Sequence, residues 1–119
     1  MVNVASVLLL RSTNTDQKDT DDKIHIERIG EYIRVKYNDT YSNIVQRLYV
    51  SQEDFPRYIA SLGVFYLKDT QPYKSIQFNF PGFPTIMLDN ETMSSKKTQD
   101  ALLDAAEMVA TSWFTEEDE

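Results

Sequence analysis

Tyr32, Arg34, Lys36, Arg47 and Tyr49 alternate with other residues in two short runs, in a chain that offers few other side chains for chemistry. In extended backbone, alternate residues share one face of a sheet, so these five define a surface of cations interleaved with tyrosines. Such a surface suits single-stranded nucleic acid: unpaired bases stack on the aromatic rings while cations follow the phosphates. The same pattern describes an ordinary solvated sheet face, with tyrosine serving strand propensity and the cations pairing across strands with Glu27. Phe80 and Phe83 form a second candidate. They sit in FPGFP, a hairpin tip poor in amide donors, where a proline-flanked aromatic ring becomes a protein contact unless it folds back onto the core.

Catalytic groups are scarce. The sequence contains no cysteine, which excludes disulfides, thiolate zinc sites, iron–sulfur clusters and thiol nucleophiles. Its single histidine, His25, excludes sites that need two imidazoles, and alternation with Ile24 and Ile26 puts it on an outer strand face beside Lys23 and Glu27. The three glycines, Gly30, Gly63 and Gly82, are too far apart for a phosphate loop, so no nucleotide cofactor is expected. Asp16, Asp19, Asp21 and Asp22 lack the glycine and terminal glutamate of a calcium loop and read as solvated linker, so no metal is expected either. Glu53-Asp54 suits the first turn of a helix. The expectation is a protein that is not an enzyme.

The elements that position these residues follow from hydrophobic period. Val2–Leu10 reads as a strand within an N-terminal segment 1–11, and 12–22 as a flexible linker without apolar residues. From Lys23 to Val50, three runs alternate with period two: Ile24/Ile26, then Ile33/Val35/Tyr37, then Ile44/Leu48/Val50. That is a β-meander, with turns expected at Gly30-Glu31 and around Asn38-Asp39. Ser51, with Asp54 three residues on, predicts a helix start, and Phe55, Tyr58, Ile59, Leu62, Phe65 and Tyr66 predict its apolar stripe. Ile76, Phe78, Phe80, Ile86 and Leu88 around Pro81-Gly82 predict a second hairpin with a type II turn. A last helix over 98–114 places Leu102, Ala106, Val109 and Trp113 on one stripe, before an acidic tail at 116–119. The predicted fold class is α+β. An antiparallel meander plus hairpin, about five or six strands, is covered on one face by two helices in the order β-βββ-α-ββ-α. The 119 residues make one domain, at 23–115.

Charge is unevenly spread. The net charge is −7, yet residues 1–22, 23–50 and 51–88 carry −2, +2 and 0, so the acidity belongs to 89–119. The longest apolar run, Val7–Leu10, is far too short to span a membrane, and no cation precedes it as in an export signal. The expected setting is therefore intracellular and cytoplasmic rather than secreted, with no membrane partner. The two N-x-T triplets at Asn38 and Asn90 then have no glycosylation role. A strand meander leading into a Ser-capped helix, over 23–67, resembles in outline the repeats of PUR-type and Whirly-type single-strand binders. That resemblance rests on periodicity and assigns no family.

The leading expectation is a small interaction or assembly protein. It binds a protein partner or itself, as a homo-oligomer, through an open sheet edge or the Phe80/Phe83 tip. Single-stranded nucleic acid on the Tyr32, Arg34, Lys36, Arg47 and Tyr49 face is the alternative.

Overall fold

The computed structural model describes residues 4–11, 22–39, 44–67 and 73–115. Residues 12–21 of the linker predicted at 12–22, and the acidic tail at 116–119, lie outside them. The apolar, β-branched N-terminal stretch forms strand β1 (Val4–Leu10), and the period-two runs form β2 (Asp22–Ile29), β3 (Tyr32–Asp39) and β4 (Ile44–Val50). Helix α1 (Phe55–Tyr66), the hairpin β5 (Ser75–Asn79) and β6 (Ile86–Asp89), and helix α2 (Lys96–Thr115) complete the chain. This is the α+β order the periodicity predicts. All pairings are antiparallel in one six-stranded sheet of order β4-β3-β2-β1-β5-β6.

β1 is the strand whose docking position the sequence left open, and it joins meander to hairpin. Val7 pairs with Ile24 on one side and Phe78 on the other, so a single apolar face runs across the centre of the sheet. Two turns rest on glycine. Gly30 has φ +61 in the two-residue β2–β3 turn, and Gly82 has φ +85 in the β5–β6 connection, where the Phe83 N–H donates to the Phe80 carbonyl at 3.2 Å.

Several boundaries differ from the sequence reading. Asn38 and Asp39 pair with Val45 and Ile44 inside the β3–β4 ladder, so this connection falls at 40–43, outside the described residues. Asp22 opens β2 instead of closing the linker, and it is 2 % exposed. Ser51 does cap a turn: its Oγ accepts the Asp54 N–H at 3.2 Å and its carbonyl accepts the Phe55 N–H at 3.1 Å. The regular helix starts only at Phe55, because Pro56 has no N–H to donate and is accommodated only in the first turn, where that donor has no intrahelical partner.

The core lies between the sheet and the two helices. Ile24, Ile26, Ile33, Ile76, Phe78 and Leu88 meet Phe55 and Ile59 of α1 and Leu102, Ala106 and Trp113 of α2, all at or near zero exposure. Gly63 lets α1 approach the sheet closely: a Cβ there would stand 3.0 Å from Leu88 Cδ1. Arg28, on the helix side of β2, ties the far end together. Its Nε donates to the Gly30 carbonyl at 2.8 Å, its guanidinium donates to the Trp113 carbonyl at 3.1 Å, and it lies 4.7 Å from the Phe114 ring centroid. A cation there also complements the C-terminal end of α2.

Candidate functional site

The strand registers decide which residues share the face turned away from the helices. His25 lies opposite Lys36, and Lys36 opposite Arg47, so three basic side chains form one row across β2, β3 and β4. In the next row Glu27 lies opposite Arg34 and Arg34 opposite Tyr49; beyond it Tyr32 lies opposite Ile29. Tyr32, Arg34, Lys36, Arg47 and Tyr49 thus occupy a single face, with Tyr32 52 % and Tyr49 53 % exposed. Arg34 forms an ion pair with Glu27, which offsets part of the positive charge, and its Nε is buried without a hydrogen-bond partner. Partial burial and then the neighbouring Lys23 and Lys36 hold the His25 imidazolium below its ordinary pKa, against a weaker opposing pull from Glu27.

The hairpin tip differs from the surface its sequence suggested. Phe80 is 4 % exposed and stacks with Phe78, its ring 6.4 Å from Phe55, while Phe83 is half-buried against the core. Neither ring stands free, because the tight Pro81-Gly82 turn folds the tip over the sheet end.

A third surface escaped the sequence reading. Leu48 belongs to the helix-facing side of β4, opposite Val35, and was expected in the core; Val35 is 3 % exposed but Leu48 is 48 % exposed. Val45, Gln46, Arg47 and Tyr49 are exposed too, so the edge strand is bare on both faces from Val45 to Tyr49, and only Val50 at its end is buried. The side chain of Ile44, expected on the same face, lies outside the described residues. Between β4 and α1 runs a groove of about 710 Å³, with Ile24, Val35 and Leu48 on its floor and Tyr58, Ser61 and Phe65 on its wall. Phe65, expected to be buried by the α1 stripe, is 55 % exposed, and the neighbouring Val64 is 53 % exposed. Burial pushes the Tyr58 hydroxyl above its ordinary pKa, so it remains a neutral hydrogen-bonding group beside apolar neighbours. No period in the sequence could reveal this groove, since Leu48 and Phe65 follow the core pattern and simply lack an opposing element.

The end of the groove rests on a polar cluster built on Asp22. Its carboxylate accepts from Arg11 at 2.9 Å, from the Tyr37 hydroxyl at 3.2 Å and from the Tyr73 hydroxyl, while the two tyrosine oxygens are 2.9 Å apart. Burial, then hydrogen bonding to Asp22 and Tyr37, drives the Tyr73 pKa far upward, so that phenol stays protonated and donates. Tyr66 packs edge-on against both Tyr37 and Tyr73 at 6.1 and 5.7 Å. This cluster is a satisfied buried network that fixes the positions of Tyr37 and Tyr66, two residues lining the groove.

The fold and surface define an α+β sheet protein whose edge strand β4 is exposed, with a groove beside it and a basic outer face. Comparison with family models, with curated proteins and with solved structures finds no match. Among the described residues, no helix is long and apolar enough to cross a membrane.

Proposed function

We propose that this chain is a non-enzymatic protein-binding module whose contact surface is the β4 edge together with the β4–α1 groove. The observation that carries the reading is Leu48: it occupies a core position in the alternation of β4, yet it is half in water while its cross-strand partner Val35 is sealed. Exposed apolar residues gathered on one side of a small domain mark contact sites, whereas scattered ones do not. Half of the large apolar residues that are exposed among those described, Val45, Leu48, Tyr49, Val64 and Phe65, belong to β4 or the end of α1. An unpaired edge strand adds backbone donors and acceptors to the same place.

A photo-crosslinking residue at position 48 tests this, with position 108 on the exterior of α2 as control. A specific protein adduct at 48 and none at 108 is the expected result; equal labelling at both sites, or none at 48, refutes it. The second reading, single-stranded nucleic acid on the outer face, is favoured by the Arg47–Lys36–His25 row beside Tyr49. It requires oligonucleotide binding that weakens steeply with salt and is lost in Arg34→Glu plus Arg47→Glu.

A further inference from the structure

We propose that the occupant of the β4–α1 groove is an amphipathic helix of a partner protein, apolar on one face and carrying Asp or Glu along its flank. The inference rests on the protein-binding reading of this surface and specifies the partner's chemistry.

The shape of the groove comes first. The sheet has six strands. At about 4.8 Å per strand it is about 29 Å wide, whereas two packed helices about 10 Å apart cover about 20 Å. The uncovered strip, about 9 Å, is one helix wide. It falls at β4, the strand whose helix-facing Leu48 is exposed. The wall of the groove is itself a helix face: Tyr58, Ser61, Leu62 and Phe65 follow i, i+3, i+4, i+7 spacing along α1. A floor of sheet and a wall of helix form the seat into which the next helix of a layered α+β fold would pack. An added strand at the β4 edge would lie beside Leu48 and leave the space between Val35 and α1 unfilled.

Composition and charge then choose the occupant. Of the segments outside the described residues, 12–21 and 116–119 contain no apolar residue, and 1–3, 40–43 and 68–72 are too short to supply a helical apolar stripe, so none of them fills an apolar groove. Among the described residues lining it, the only formal charge is Arg47. Arg47 ends the basic row that crosses from Lys36, and Arg57 stands on the adjoining depression, which shares Tyr58 and Ser61 with the groove and also contains Asp54. A second copy docking by two-fold symmetry would bring Arg47, which lines the groove, and Arg57, beside it, of each molecule to the same contact, and like charges in close apposition are unfavourable. A partner with carboxylates flanking its apolar stripe meets the opposite charge.

The test uses the full chain and a labelled synthetic peptide of about five helical turns, with Leu at i, i+3, i+4 and i+7 and Glu on the flanks. Three controls accompany it: the same stripe with Lys flanks, the same composition broken by central proline, and a strand-forming peptide alternating Leu and Glu. Fluorescence anisotropy is expected to show the Glu-flanked helix binding roughly tenfold or more tightly than the Lys-flanked one. Amide shifts should move at Val35, Leu48 and Ser61, and binding should be lost in Leu48→Glu but retained in Met108→Glu. Equal binding of the two flank charges, equal or better binding of the proline-broken or strand-forming peptide, binding indifferent to Leu48→Glu, or no binding of the Glu-flanked helix would each overturn the inference. So would a concentration-dependent dimer abolished by Leu48→Glu. A selective crosslink at position 48 together with a negative peptide result would leave the protein-binding reading standing and remove only the helix; loss of both would remove the two together.

Discussion

At the scale of single residues, chemistry is set by what surrounds each polar group. His25 looks alike in sequence and structure, an outer-face histidine, but its cross-strand neighbour Lys36 is a tertiary fact. An NMR titration should give it a pKa below 6.5, and Lys36→Glu should raise that value. Because its folded pKa lies below the unfolded one, the unfolded chain binds the proton more readily. This residue's contribution is therefore absent above about pH 6.5 and grows destabilising as pH falls from there to the folded pKa. Asp22 makes the opposite case. Its place at the end of a run of linker aspartates disguised a carboxylate buried between two tyrosine hydroxyls and Arg11. Asp22→Ala removes the common acceptor of that network and should cost about 3 kcal/mol in chemical denaturation; the same change at an exposed acid such as Asp104 should fall within about 0.5 kcal/mol.

At the scale of elements, local propensity and packing agree in most places and compete in a few. Asp89 ends β6 and its Oδ1 accepts the Glu91 and Thr92 N–H groups, both at 2.9 Å, while the Thr92 hydroxyl accepts the Asp89 N–H at 2.9 Å. The Thr92 N–H bond above all, with those from the Glu91 N–H and the Thr92 hydroxyl, holds the Asp89 carboxyl below its ordinary pKa against the opposing push of partial burial. Asp89→Ala should lower stability by about 1 kcal/mol, as losses of comparable caps do. Gly63 is a competition. Helix propensity alone would favour replacing it, yet Leu88 Cδ1 stands 3.0 Å from the position a Cβ would take. Gly63→Val should destabilise by about 2 kcal/mol from overpacking, measurable as a drop in melting temperature. The meander, both glycine turns and the stripe of α2 were legible because each depends on neighbours within a few residues. The start of α1 was misread by one turn, since Ser51 and Pro56 carry conflicting local signals.

At the scale of the whole molecule, the acidic exterior of α2, with Asp100, Asp104 and Glu107, is turned away from the sheet, while the cations of β2 to β4 lie on the sheet's outer face. The net charge of −7 therefore says little about what either face attracts. Leu48→Glu should leave folding within about 0.5 kcal/mol of the original chain, since its side chain is already half solvated, while Val35→Glu, its sealed cross-strand partner, should prevent folding. Circular dichroism with thermal melts separates the two outcomes. The sequence by itself determined the class of fold, the order of elements and the residues of the outer face, because periods of two and of 3.6 residues are properties of the backbone. It could not determine that β1 joins the two halves of the sheet, that Asp22 and Tyr73 meet across 51 residues, or that Leu48 and Phe65 remain uncovered. Those outcomes depend on which elements lie opposite one another. An apolar residue carries the same signal whether its partner is the chain's own helix or one that another protein must supply.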